Sequence, residues 1–258
     1  MDFSQLLKPA LDVLWYLVPL LLFTALLKSP WFKGMLGEFV VNLSARWFLD
    51  KETYHLIRNV TLPTPDGTTQ IDHVIVSRFG LFVVETKNMK GWIFGSPQQK
   101  RWTQKIYKHT QQFQNPLHQN YKHLRTLQGL LDLTDEQIHS VVVFVGSSEF
   151  KTPMPDNVTQ GGGYIRFIKS KREPVLTDEQ VQKMIRRIQS GRLAPSVRTH
   201  QDHVRNVRQI VSNRESERRC PKCGSLMVER EAKRGAQKGR RFWGCSNYPK
   251  CWTVLDLD

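Results

Sequence analysis

Two groups of residues in this 258-residue sequence have the types and spacing to do chemistry. The first is Asp72, Glu85 and Lys87, set in IDHVIVSRFGLFVVETK, residues 71–87. The stretch reads as two apolar strands joined by a tight turn at Arg78-Phe79-Gly80. In such a hairpin Asp72 falls opposite Glu85 or Thr86, and the period of two puts Glu85 and Lys87 on one face. Burying two acids and a lysine among Val, Ile, Leu and Phe is costly unless a metal ion or a partner compensates them. The plain structural alternative is a salt bridge from Lys87 to Glu85 or Asp72 at the end of the sheet. His73 alternates to the opposite face and reads as structural or surface, not as a ligand.

The second group is Cys220, Cys223, Cys245 and Cys251, in CPKCGSLMVEREAKRGAQKGRRFWGCSNYPKC. Two cysteine pairs separated by a loop supply the four thiolates of a tetrahedral Zn²⁺ site, each pair forming a knuckle and a β-hairpin joining them. Disulfide pairing is the alternative, but metal-site spacing points to reduced thiols and a reducing compartment. A module this small lacks a core and should fold only with its metal. Between the knuckles lie Arg230, Lys233, Arg234, Lys238, Arg240 and Arg241, with Phe242, Trp243 and Tyr248 beside them. Cations that meet phosphates and rings that stack on bases together suit single-stranded DNA. For Phe242 and Tyr248, packing around the zinc is an equal alternative.

The elements that must position these groups follow from patterning. A hydrophobic fraction of 40% gives a globular class, while a net charge of +15 and a pI near 9.9 point to a polyanion, nucleic acid or anionic lipid. Ala10 to Leu27 is nearly continuous in apolar residues, long enough to cross a bilayer core; a buried helix and a cleaved signal are the alternatives. Lys28, Lys33 and Arg46 follow it and only Lys8 precedes it, which puts the C-terminal side in the cytoplasm. Residues 34–49 read as an amphipathic helix with Leu36, Phe39, Val40, Leu43 and Trp47 as its apolar set, and Glu38 as a solvated residue. A strand at 55–62, the turn TPDG, the hairpin, short strands around Trp92, Phe94 and Trp102, and a helix opened by Asn115-Pro116, with Gln119, Lys122 and His123 along one side, come next. A buried strand at 140–146, a last strand at 164–168 and basic helices at 177–190 and 197–214 complete the pattern of an α/β domain with a mixed sheet. The arginines of those last helices read equally as a solvated face.

Glu38 on a first helix, then Asp72, then Glu85-Thr86-Lys87 on a hairpin resembles the PD-(D/E)xK superfamily of restriction-endonuclease-like nucleases. GEFVVN from Gly37, IDHVIVSRFGLFVVETKNMKGWIFG and QNPLHQN look more narrowly like the nuclease-related domain, NERD, over residues 34–146. Ile71 stands where the superfamily has its proline. The resemblance implies a restriction-endonuclease-like mixed sheet flanked by helices. It also implies a site of Glu38, Asp72, Glu85, Lys87 and Gln119, with Asn115 near it and Mg²⁺ or Mn²⁺ on Asp72 and Glu85. The cysteine module, with Met227, Arg230, Phe242, Gly244, Tyr248 and Pro249, resembles the C-terminal zinc fingers of bacterial type I topoisomerases. The expected organisation is a transmembrane anchor at 1–30, a NERD domain at 31–170, a basic helical linker at 171–217 and a zinc finger at 218–258. The expected function is a single-pass, inner-membrane, metal-dependent nuclease whose zinc ribbon binds DNA through Arg230, Lys233, Arg234, Arg240, Arg241 and Trp243. Two alternatives stand beside it: an inactive nuclease fold tethering DNA to the membrane, and a tail that lies on anionic lipid.

Overall fold

The computed structural model describes residues 3–65, 67–194, 205, 219–233, 237 and 239–256, with side chains from residue 15 onward. The expected helix at 197–214 therefore lies outside the described residues, apart from Arg205. The chain forms two compact units, Met1–Pro195 and Ser196–Asp258.

In the first unit the order is α1 (Phe3–Lys28), α2 (Pro30–Phe48), β1 (His55–Thr64), β2 (Gly67–Ser77), β3 (Gly80–Asn88), β4 (Gly91–Phe94), β5 (Arg101–Ile106) and β6 (His109–Gln114). There follow α3 (Pro116–Leu131), β7 (Ile138–Val145), β8 (Ser148–Phe150), β9 (Val158–Gln160), α4 (Gly163–Ser170) and α5 (Asp178–Gly191). The main sheet runs β1-β2-β3-β7-β9, antiparallel from β1 to β3 and parallel from β3 to β9. A smaller sheet, β6-β5-β4-β8, stands beside it and gathers Ile93 and Trp102 with Phe144 of β7. This is the mixed α/β architecture that the patterning predicts.

The β2–β3 hairpin closes as expected on Arg78-Phe79, with Ser77 paired to Gly80. Gly80 adopts φ +118°, where a side chain would be strained and a Cβ would press on the His139 ring at 3.0 Å. The register pairs His73 with Val84, so Asp72 comes next to Glu85 across the ladder. His73 is buried on the face opposite Asp72, and burial pushes its imidazole down to about 4, partly opposed by the nearby Glu38 backbone.

Both faces of the sheet are covered. Val74, Val76, Leu81 and Val83 pack under α3 and α5 with Leu127, Leu131, Val181 and Ile188. Ile75, Phe82, Val84, Val141 and Val143 pack under α2 and α4 with Val41, Ala45, Tyr164 and Ile168. The α5 helix, capped by Thr177 and Gln180 as predicted, thus belongs to this core, and the compact unit extends past residue 170 to Pro195.

Two expectations are corrected. Residues 164–168 are helical, in α4, and not a strand: Tyr164, Ile165 and Ile168 are buried at helical spacing, and β9 is the last strand of the sheet. The side of α2 that faces the sheet is made of small residues, Gly37, Val41 and Ala45, while Leu36, Phe39, Val40 and Trp47 are exposed. Small residues win the inner face because the helix lies close on β3 and β7; a Cβ on Gly37 would stand 2.8 Å from Asn88 Cβ and 3.1 Å from Val145 Cγ2. Among the described residues no single helix is long and apolar enough to cross a membrane, although Trp15–Lys28 and Pro30–Phe48 meet the criterion together as a pair bent by 58°.

Gly37→Val is accordingly expected to destabilise the first unit by about 1–3 kcal/mol through overpacking. A urea midpoint shifted down at unchanged slope checks this, and an unshifted midpoint counts against the close approach of α2.

Candidate active site and metal centre

β3 presents Glu85 and Lys87 on the α3 side of the sheet, and β2 brings Asp72 alongside. Glu85 is 3% exposed. Lys87 Nζ donates to Glu85 Oε1 at 2.6 Å and to Gln119 Oε1 of α3 at 2.9 Å. Asp72 Oδ2 accepts the backbone N–H of Thr86 at 2.9 Å. Asp72, Glu85, Lys87 and Gln119 therefore meet at one place. Glu38, on α2, is half-buried, and the charge of Glu85 acts on it.

The electrostatics separate the two hairpin acids. Burial, then the neighbouring Glu85, drives the Asp72 carboxyl well above the usual carboxylate range, with the Thr86 N–H only partly opposing them. Burial also works to raise Glu85, but Lys87 and His123 more than offset it and hold that carboxyl below its ordinary value. Their surroundings thus push the two carboxyls in opposite directions, the pattern expected when two carboxyls share a site. Glu38 is raised too, by burial and then by Glu85.

The structure adds a residue that sequence reasoning placed only along the polar side of its helix. His123 is buried, with Nε2 3.3 Å from Glu85 Oε2 and Nδ1 2.7 Å from the Thr69 hydroxyl. Its signal was its position four residues after Gln119, one turn along the same face of α3. If His123 orients Glu85, His123→Ala is expected to cost about 10–100-fold in divalent-metal affinity or activity. The metal concentration for half-maximal cleavage measures this, and an unchanged value would leave His123 a packing residue.

Asn115 has a different task from the one expected. It is fully buried as the N-cap of α3, accepting from Leu117 N at 2.9 Å and donating to the carbonyls of Ser96, Pro97 and Gln99. Its side chain is spent on fixing the start of the helix that carries Gln119 and His123. Asn120, also fully buried, donates from Nδ2 to Val83 O, Ser140 Oγ and Val141 O, fastening α3 to β3 and β7.

The second unit holds β10 (Met227–Glu231), β11 (Arg241–Cys245) and β12 (Val254–Asp256) in one antiparallel sheet. Cys220 Sγ lies 3.6 Å from Cys251 Sγ, and Cys223 Sγ lies 3.4 Å from Cys245 Sγ, all four sulfurs falling within 4.8 Å of one another. A tetrahedron with Zn–S bonds of about 2.3 Å has edges of about 3.8 Å, so the thiolates fit Zn²⁺. Among the described residues these cysteines are the one group of three or more His, Cys, Asp or Glu close enough to share an ion; Glu38, Asp72 and Glu85 are not drawn together to that extent.

Of the residues assigned to nucleic acid, Arg240 pairs with Asp256 at 3.1 Å and Arg241 with Glu229 at 2.9 Å, while Lys233 is exposed and Arg234 lies outside the described residues. Trp243 is half-buried against the cysteine cluster, so it belongs to the small core and not to an open stacking surface. The open rings are Tyr248 and Trp252, the latter 71% exposed, packed edge-to-face at 4.8 Å with Arg230 over the Tyr248 ring at 5.4 Å. Together with Phe242 they line a cleft of about 640 Å³. Trp252 was legible only as an aromatic following the last cysteine.

With this geometry in view, the chain is defined first by its domains: residues 33–145 match the nuclease-related domain, NERD, and residues 217–258 the topoisomerase DNA binding C4 zinc finger. Among individual proteins, it is 47% identical over 104 residues to an uncharacterized protein of Bacillus anthracis, a match covering 40% of this chain and 49% of that protein. It is 33% identical over 90 residues to DNA topoisomerase 1 of Archaeoglobus fulgidus, covering 34% of this chain and 12% of the enzyme. The chain thus spans about half of the first relative and a small part of the second. No solved structure matches it. The chain carries a nuclease-like domain and a DNA-binding type of zinc ribbon.

Proposed function

We propose that the protein is a membrane-anchored nuclease that hydrolyses phosphodiester bonds of DNA with Mg²⁺ or Mn²⁺, its zinc ribbon holding single-stranded DNA. The observation that carries this reading is the meeting of Asp72, Glu85, Lys87 and Gln119 in one buried polar cluster on a nuclease-related domain. Buried carboxyls that repel one another, one of them pushed well above its usual range by burial and its neighbour, are the donor set that a hard divalent cation relieves. Asp72 and Glu85 would hold the ion, Glu38 completing the acidic set; when bound it activates water and neutralises developing phosphate charge. Lys87, steadied by Gln119, supplies a fixed positive charge toward the scissile phosphate. Thr69, through His123, keeps the Glu85 carboxylate oriented. Zn²⁺ is structural, on Cys220, Cys223, Cys245 and Cys251.

The membrane part of the proposal rests on the apolar run from Ala10 to Leu27, with Lys28, Lys33 and Arg46 after it. It places the chain in the inner membrane as a single pass, with the nuclease-like domain and the ribbon in the cytoplasm.

One observation favours a second reading. Lys87 already pairs with one oxygen of Glu85 and the His123 ring stands 3.3 Å from the other, so the cluster also fits a structural polar network in an inactive fold that tethers DNA to the membrane. A plasmid-nicking assay with Mg²⁺ or Mn²⁺ separates the two. Cleavage by the wild type that falls about 10²–10³-fold in Lys87→Ala supports the enzyme. DNA retention with no cleavage by the wild type supports the tether, and equal cleavage by wild type and variant overturns the assignment of Lys87.

A further inference from the structure

The sheet-facing side of α2 is narrow, so the helix leaves a second side uncovered. At about 100° per residue, Met35, Leu36, Phe39, Val40, Leu43 and Trp47 occupy an arc of about 140° centred opposite Gly37, Val41 and Ala45. Phe39 is 58% exposed and Trp47 72%. The only charge on that arc is Arg46, at its edge. A helix of a compact unit that packs by glycine and alanine while turning its bulky apolar side chains outward needs another cover for them.

We propose that this outer face of α2 is a bilayer-docking surface, lying in the headgroup and upper acyl region of an anionic phospholipid membrane and seating the nuclease-like unit against it. The inference rests on the reading of α1 as an anchor and adds a second, separate contact. Two features select lipid as the occupant. The face continues directly from the exposed apolar side chains of α1 across Ser29, where the chain bends by 58°, enough to pass from crossing a bilayer at a tilt of about 30° to lying along it. Its bounding cations, Lys28, Lys33 and Arg46, are placed for anionic headgroups at the ends of the helix. Tryptophan and phenylalanine on one side with arginine and lysine at the margins is the composition of helices that lie in the membrane interface.

Hydroxyl-radical footprinting of the full chain, read residue by residue by mass spectrometry, tests this. The chain is compared in vesicles of phosphatidylcholine and phosphatidylglycerol and in lipid-free buffer. The expected result in vesicles is loss of oxidation at Met35, Phe39 and Trp47 down to the level of the buried Phe82, while Trp92 and Tyr107, exposed elsewhere on the unit, keep theirs. Protection of Trp15, Tyr16 and Phe23 with Met35, Phe39 and Trp47 still oxidised overturns the docking surface and leaves the anchor standing. Protection at neither set overturns the anchor and the docking surface together. Equal protection of Met35, Phe39 and Trp47 without lipid overturns lipid as the occupant in favour of a second copy of the chain.

Discussion

Asp72→Asn is expected to abolish divalent-metal-dependent cleavage and, in the same molecule, to raise the melting temperature of the metal-free protein. The two effects have one cause. Burial and the charge of Glu85 hold the Asp72 carboxyl well above the usual range, so folding at neutral pH must either bury its charge beside Glu85 or take up a proton. A carboxyl whose folded pKa is raised contributes most below its unfolded pKa, and that contribution is lost as pH rises through the folded value. The metal-free wild type therefore works against this charge at neutral pH. Asparagine removes the charge, and its side-chain oxygen can still accept the Thr86 N–H that now reaches Asp72 Oδ2 at 2.9 Å. Each kcal/mol recovered should appear as about 2–4 °C in a unit of this size. Saturating Mg²⁺ supplies the complement: at a hundredfold excess over its dissociation constant it stabilises the wild type by about 2.7 kcal/mol, and it should leave Asp72→Asn unmoved. A lower melting temperature in the variant would sink the account of Asp72 as a strained acid, and surviving cleavage would sink its role as a ligand.

Removal of zinc is the second large effect. Stripping the metal, or replacing Cys245 by serine, is expected to unfold the second unit while the first keeps its own transition. The reason lies in what the small unit has in place of a core: the cluster of buried residues is Cys220, Met227, Cys245 and Cys251, with Trp243 packed against it. Three of those four buried residues are cysteines whose geometry fits the ion, so without it almost no apolar surface among the described residues remains to hold β10, β11 and β12 together. Metal binding in modules of this kind is worth about 10–16 kcal/mol at neutral pH, far more than such a cluster could supply alone. Amide resonances of residues 219–256 collapsing to random-coil positions in the zinc-free full chain, with those of β2 and β3 unchanged, would bear this out. Persistence of the dispersed β11 resonances after chelation would refute it.

The sequence made the hairpin, the α3 cap and the cysteine set legible because each is local: a period of two with a glycine turn, an Asn-Pro start, a pair of spaced thiols. What it hid depends on partners distant in the chain. The inner face of α2 could not be read from hydrophobicity, since how closely a helix approaches a sheet is set by Gly37 against Asn88 and Val145, about fifty and a hundred residues on. Residues 164–168 are too few to separate periods of two and 3.6, and only the sheet beneath decides for the helix. His123 looked like one polar residue among several until Glu85 arrived from another element. Asn115 was placed near the right site for a reason the structure changes, from lining it to fixing the helix that lines it.

The hydrogen bonds of Asn120 bear on how this unit comes apart. Its two amide hydrogens are shared among acceptors on β3 and β7, so lifting α3 away would strand buried carbonyl groups on both strands at once. The helix therefore has no inexpensive partial opening. In native-state hydrogen exchange, the amides of α3 around Gln119 and His123 should share the slow rate and the denaturant dependence of β3 and β7, exchanging through global unfolding alone. The geometry of the Asp72, Glu85, Lys87 and Gln119 cluster would then be lost in a single cooperative step, with no population in which the domain is folded and the cluster already loosened.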